Sequence, residues 1–239
     1  MTLRRLVLVV SLAFGGSLAL AAAGLAAGGG LGPGNHVFTN VSADAEVGMA
    51  KGGPPDQKGI SLFVNRGLNS YRPAGQPGPG TVTRGTMVEL SVFDATGSTF
   101  GCFEIPPADF NVSSDLQTAS LHTTLTVSNM CVGVGTVVTG GSDISPLAGG
   151  GGLPLPITVN VTWTGNGVIS TGHDHSTFQC LDYSTRLGSV SHASLATAAG
   201  SVTGPSGASQ SFNTDLANVS STDTNITVNG ILPTTCLGA

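Results

Sequence analysis

The sequence predicts an all-β protein: an antiparallel β-sandwich of Ig-like or jelly-roll-like type, with a β-barrel as the alternative. Three observations predict it. Val- and Thr-rich segments alternate apolar and polar residues with a period of two. Clusters of Gly and Pro separate these segments. Only 9% of the 239 residues are charged, which is too few to cover the outer faces of a helical bundle.

Each predicted strand has one apolar face. The clearest example places four apolar residues on one side, with Thr and Asn on the other: Ile157, Val159, Val161 and Trp163. The same alternation occurs at residues 60–64, 88–92, 121–127 and 226–228. Asp94 and Gly97 bound a predicted turn between two such segments. Strands with one polar face suit two sheets packed over one core, so the sandwich is favoured over the barrel.

The first 26 residues have the pattern of a cleaved export signal. Arg4 and Arg5 precede an apolar run, and the small residues between Ala21 and Ala27 suit signal peptidase. An uncleaved anchor is the alternative, because residues 6–27 are long enough to span a bilayer. We therefore expect a signal peptide at 1–26, a flexible Gly/Pro-rich lead-in with a possible first strand at 27–58, and a single β domain at 59–239. The Ala/Gly-rich signal is typical of bacteria, and the mature chain contains no second long apolar run.

Four cysteines in an exported chain predict two disulfides. Pairing of sequence neighbours suits a meander of adjacent strands and favours Cys102–Cys131 and Cys180–Cys236, while the other two pairings stay open. The cysteines form no C-x-x-C pair, which excludes a zinc knuckle and a thioredoxin-like redox motif.

The pair His173 and His175 is the local feature that most directly indicates a possible chemistry. On a strand their backbones lie about 6.6–6.8 Å apart and their side chains point to one face, where two imidazoles can converge on a zinc ion. A third ligand from another strand would be required, and His192 is the first choice, with His122 as the alternative. Two solvated histidines on an outer sheet face are the competing interpretation, and we favour it.

The segment from Gly167 to His175 resembles the opening of the cupin signature, a family of metal-binding β-barrels. Gln179 stands where that family places Glu, and Gln210 stands where a further ligand His belongs. Because the resemblance covers only a few residues in about forty, the chain is not assigned to the family.

Other catalytic motifs are missing from the sequence. It contains no G-x-S-x-G elbow, no H-E-x-x-H and no phosphate-binding Gly-rich loop. Paired carboxylates for a glycosidase would have to come from Glu89, Glu104 and scattered Asp residues. The net charge of −5 and the lack of a basic stripe argue against nucleic-acid binding.

These observations favour a secreted or cell-surface binding or structural module without catalytic residues. Its partner would belong to the cell envelope or the extracellular matrix. A metal-binding protein or metalloenzyme that uses His173 and His175 is the first alternative, and zinc is the cofactor that it would require. A secreted hydrolase without a recognisable motif is the second alternative.

Overall fold

The computed structural model describes residues 31–48, 59–78, 80–94, 97–131, 137–140 and 153–231. The predicted signal peptide and Cys236 lie outside these ranges. Within them the chain contains two short 3₁₀ turns, Pro107–Asp109 and Val127–Asn129, and no α-helix. No helix of the described part has the length and apolar character needed to cross a membrane.

Ten strands of the described residues form one antiparallel sheet, which confirms the all-β prediction. In chain order they are β1 (Gly34–Val47), β2 (Gly59–Pro73), β3 (Thr81–Asp94), β4 (Gly97–Glu104), β5 (Phe110–Val112), β6 (Thr118–Leu125), β7 (Val137–Gly140), β8 (Ile157–Cys180), β9 (Tyr183–Thr203) and β10 (Ser209–Asn229). Their order across the sheet is β5-β6-β8-β9-β10-β1-β2-β3-β4-β7, and the sheet is open.

The first strand lies in the middle of the sheet. β1 falls within the segment expected to be a lead-in with a possible first strand, and it pairs with β10 on one side and β2 on the other. The early and late parts of the described chain are therefore joined through β1.

The main core lies on one side of the sheet, which we call face A. Register places Ala43, Val64, Val88 and Val219 together on this face. Trp163 also lies here, fully buried, and its Nε1 donates a hydrogen bond of 2.8 Å to the backbone oxygen of Asp44. This cluster takes in the four alternating apolar residues of β8 that the sequence singles out, so their predicted burial is confirmed.

Beyond this core the sheet continues as a second region, whose two faces differ in their exposure to solvent. We call this region the extension; it comprises residues 34–41, 66–73, 81–86, 169–180, 183–193 and 220–229. Here the buried apolar residues lie on the opposite side, face B, where Phe38, Tyr183, Ile226 and Val228 form a small cluster. The pairing of β1 with both neighbours is unbroken, so the strand buries opposite faces in its two halves.

The two ends of the open sheet approach each other beside the main core. Phe103 of β4 forms an isolated antiparallel bridge with Met130, which follows β6. Next to it Cys102 and Cys131 form a disulfide with Cα atoms 5.4 Å apart, the pairing that the sequence favours. Cys180 is also disulfide-bonded, and its predicted partner, Cys236, lies outside the described residues.

Candidate functional site

Face A of the extension carries every arginine of the described residues, which include no lysine. Even-numbered residues of β2, β3 and β9 lie on this face, which places Arg66, Arg72, Arg84 and Arg186 on one side of the sheet. We call this surface the basic face. Asp223 is its one acidic residue within the extension. On face B the strands carry the acids Asp44, Glu46, Glu89, Glu104 and Asp174. The sheet is therefore charged differently on its two sides.

Two of the arginines lie in one row across four strands. Arg72 is opposite Asn35, Asn35 is opposite Thr227, and Thr227 is opposite Arg186. Three strand spacings separate the two arginines, or about 14 Å between their strands. Both guanidinium side chains are exposed, and the amide and the hydroxyl between them can donate or accept further hydrogen bonds.

The other two arginines line a groove where the basic face meets the main core. The groove has a volume of ≈ 260 Å³ and is lined by Thr39, Val41, Arg66, Gly67, Leu68, Arg84, Gly85, Thr86 and Pro107. Arg66 is half-buried, and its Nη1 donates a hydrogen bond of 3.1 Å to the backbone oxygen of Phe110. Thr86 is buried, and its hydroxyl has no partner among the described residues.

Most of the exposed lining of this groove is apolar, and its charged side chains, Arg66 and Arg84, are hydrogen-bond donors. A guanidinium carries five N–H donors and no acceptor, so the bond to Phe110 leaves Arg66 with further donors. Arg84 is exposed at the same groove. Carboxylate and phosphate groups are the natural partners of such donors. The groove therefore suits one anionic group of a larger ligand.

The aromatic side chains of the extension lie away from the basic face. Phe38, Tyr71, Phe178 and Tyr183 all lie on face B. His36 stacks on Tyr71 there, with ring centroids 4.4 Å apart, and its Nε2 hydrogen-bonds the backbone oxygen of Gly32. Among the described residues of the extension, the basic face consequently offers charge and hydrogen bonds but no Phe, Tyr or Trp ring on which a base or a sugar could stack.

The three predicted metal ligands lie on the basic face. Odd-numbered residues of β8 and even-numbered residues of β9 share it, so His173, His175 and His192 point to the same side. His192 is opposite Thr171, and its Nδ1 hydrogen-bonds the Thr171 hydroxyl at 3.0 Å. Within the described ranges, no group of three or more His, Cys, Asp or Glu side chains is close enough to hold a metal ion. A metal site in one chain remains a prediction.

His122, the alternative third ligand, lies in a different part of the sheet. It is opposite Asn160 in the half of β8 that covers the core, and its Nδ1 bonds the Asn160 side-chain oxygen at 3.0 Å. The length of β8 separates it from His173, so the two cannot ligate one metal within a chain.

Two carboxyl groups that the sequence did not single out share face B. Asp44 and Glu46 are two residues apart on β1, and burial raises the pKa of both, that of Asp44 to about 7. The Asn218 side chain hydrogen-bonds Asp44 and opposes this shift, while the nearby charge of Glu46 adds to it. The groove of the basic face lies on the other side of the sheet, so the carboxyl pair and the groove are separate features. Their i, i+2 spacing is the signal that could have identified the pair.

Comparisons with known proteins found no match: no family model, no curated protein and no solved structure is similar to this chain.

Proposed function

We propose that this chain is an exported, non-catalytic binding module that holds an acidic polysaccharide of the cell envelope or extracellular matrix on its basic face. One observation carries the proposal: in a chain of net charge −5, all four arginines of the described part lie on a single sheet face. The segregation creates a local positive field that attracts polyanions although the whole molecule is acidic.

A polysaccharide fits this face better than a protein does. The centre of a protein interface is apolar and rich in aromatic anchors. The exposed apolar residues of the basic face are Val82 and Ile169, which lie on opposite margins of the extension. Between them the face presents arginines, hydroxyls and amides around the half-buried Val37, Val41 and Leu68, and these polar groups suit an extended chain of sugar acids.

Nucleic acid fits less well. Four positive charges, one of them engaged with a backbone carbonyl, are sparse for a phosphate backbone with one negative charge per about 1.7 Å of duplex. Single strands additionally require aromatic platforms, and the Phe and Tyr rings of the extension lie on face B.

We also propose that the chain is exported and that its one sheet folds into a sandwich. The signal-like pattern of residues 1–26 and the paired cysteines support an oxidising, extracellular location. The main core joins face A side chains from distant strands of the sheet, which supports a sandwich made by folding one sheet over itself.

Calorimetric titration of the purified protein with polygalacturonic acid tests the proposal. We expect binding at low salt that weakens strongly near 0.5 M NaCl, because charge pairs on a surface are screened. Arg186→Gln should weaken binding about 10-fold, since a hydrogen bond to a charged group contributes about 1.5–3 kcal/mol.

Ser176→Asp is the matched control. It changes the net charge by the same amount, but Ser176 is exposed on face B, so affinity should change less than about 2-fold. Equal losses in both variants, or no binding of the parent at low salt, would contradict the proposal. Tighter binding of duplex DNA or of an acidic peptide would assign the face to that class of partner instead.

A further inference from the structure

The second half of β8 is an unpaired edge of the sheet. β6 pairs with β8 only from Ile157 to Thr164, whereas β9 pairs with it as far as Cys180. On the side away from β9, no strand of the described residues covers 166–180. The side chains of 173–179 are exposed on both faces, so within the described ranges nothing covers this backbone edge.

An open edge of this length is a template for pairing with another strand. The ladder hydrogen bonds of one edge are satisfied most simply by the same edge of a second copy, related by a two-fold axis. An axis perpendicular to the sheet makes the two edges antiparallel and continues each face across the junction. Histidines on face A of one copy then lie beside face A of the other.

A two-fold axis through Asp174 places His173 of one copy directly opposite the partner's His175, and the reverse. Side chains in directly opposite positions have Cβ atoms about 4.5–5.5 Å apart, and the two histidines of one chain are about 6.6–6.8 Å apart. Four imidazoles would thus surround one point on face A. Zinc takes four ligands in its closed sites, with Zn–N distances of about 2.0–2.1 Å.

We propose that two copies of this chain pair through the β8 edge and bind one Zn²⁺ with His173 and His175 of each copy. One chain brings two histidines to this place, and the described residues provide no set of three side chains that could hold a metal ion. The second copy supplies the two that are missing.

Asp174 makes this pairing depend on the metal. It lies on face B between the two histidines, and the axis would set it directly opposite its own copy. Like charges in opposite positions destabilise a sheet, so the metal-free edges repel each other. Zinc binding on face A offsets this repulsion.

Light scattering after size-exclusion chromatography, combined with zinc analysis, tests the proposal. We expect the purified protein to be a monomer in EDTA and a dimer in micromolar Zn²⁺, with one zinc per two chains. His173→Ala and His175→Ala should each remain monomeric in zinc. His192→Ala and His122→Ala are the matched controls and should dimerise like the parent.

A second pair of variants tests the edge without changing the ligands. Thr171 and Thr177 are exposed neighbours of the histidines on face A, and the proposed axis sets them opposite each other. Thr171→Lys/Thr177→Lys should block the dimer, because charged residues prevent edge pairing. Asp174→Asn should reduce the zinc concentration needed for dimerisation.

Three outcomes would overturn the proposal. They are a zinc-bound monomer, a dimer that persists in EDTA, and a zinc-dependent dimer that His173→Ala leaves intact. None of them bears on polysaccharide binding, because that test depends on the arginines.

Discussion

The backbone and the side chain of Asp44 in β1 make separate contacts on the two faces of the sheet. Its carbonyl oxygen accepts the hydrogen bond of Trp163 on face A, while its carboxyl group points to face B beside Asn218. Burial raises the pKa of this carboxyl from 3.8 to about 7. The folded state therefore binds the Asp44 proton more tightly than the unfolded state does.

The sign of the resulting pH dependence follows from linkage. Below about pH 4 the carboxyl is protonated in both states, so its burial does not reduce the free energy of unfolding. Between about pH 4 and 7 the unfolded state ionises and the folded state does not, so stability falls as the pH rises. Above about pH 7 the carboxyl is ionised in both states, and stability falls no further as the pH rises.

Asp44→Asn should remove this loss of stability at high pH. We expect the variant to be more stable than the parent at pH 8, by up to about 4 kcal/mol, because one pKa unit corresponds to about 1.36 kcal/mol. The difference should shrink towards pH 4. Urea unfolding at a series of pH values measures it, and a constant difference across that range would contradict the interpretation.

Asp115 is the control with the opposite sign. Its carboxylate accepts hydrogen bonds from the Ser113 hydroxyl, at 2.6 Å, and from the Gln117 backbone, at 3.1 Å, and these bonds lower its pKa. This group stabilises the folded state above the unfolded pKa and loses that effect as the pH falls. Asp115→Asn should therefore destabilise the protein at neutral pH.

At the scale of the elements, the long strands bury different faces along their length. In β1, His36 and Phe38 are buried on face B, whereas Ala43 and Ala45 are buried on face A. β10 repeats this change, with Val219 on face A and Ile226 on face B. Buried polar residues occupy the transition between the clusters, where the Ser42 and Ser220 hydroxyls hydrogen-bond at 2.8 Å. Each cluster can consequently stabilise its own part of the sheet.

The extension should open separately from the main core. Its cluster contains four buried residues, whereas the main core gathers side chains from most strands. Ile226→Ala should cost about 2–5 kcal/mol locally and raise amide hydrogen exchange at residues 34–40 and 222–229, while leaving residues 157–163 protected. Leu90→Ala, a substitution in the main core, should instead accelerate exchange in both regions. Equal exchange patterns in the two variants would show that the sheet unfolds as one unit.

At the scale of the whole molecule, the disulfide links the two ends of the sheet. Cys102 belongs to β4, near one edge, and Cys131 follows β6, near the other. The Cys131 backbone N–H also donates to the Cys102 oxygen at 2.9 Å. The bridge therefore holds together the strands that enclose the main core.

Removing this bridge should destabilise the entire domain. For a sequence separation of 29 residues, the chain-entropy model gives about 3–4 kcal/mol. Cys102→Ala/Cys131→Ala should lower the free energy of unfolding by this amount in a urea titration. Cys102→Ala alone should lose as much, since either change breaks the bridge. A loss below about 1 kcal/mol would show that the other contacts between the sheet ends suffice.

The sequence by itself determined the class of structure and several local features. Alternation at residues 157–163 identified a strand with a buried face, because side chains of a strand point alternately to its two sides. Asp94 of β3 and Gly97 of β4 do pair with each other, and the two residues between them lie outside the described ranges. The same alternation placed His173 and His175 on one side of β8. Each of these features depends on residues that are close in the chain.

Only the tertiary structure decided which strands pair and which side chains share a face of the sheet. Arg66, Arg72, Arg84 and Arg186 are scattered along the chain, and the order of the strands brings them to one face. Alternation shows that a strand has two faces, but it does not show which neighbour covers them, so the free edge of β8 was not predictable. The physical reason is that strand pairing is a long-range choice. Hydrogen bonds between backbones are nearly the same for every sequence, and the partner is selected by the burial of side chains from distant segments.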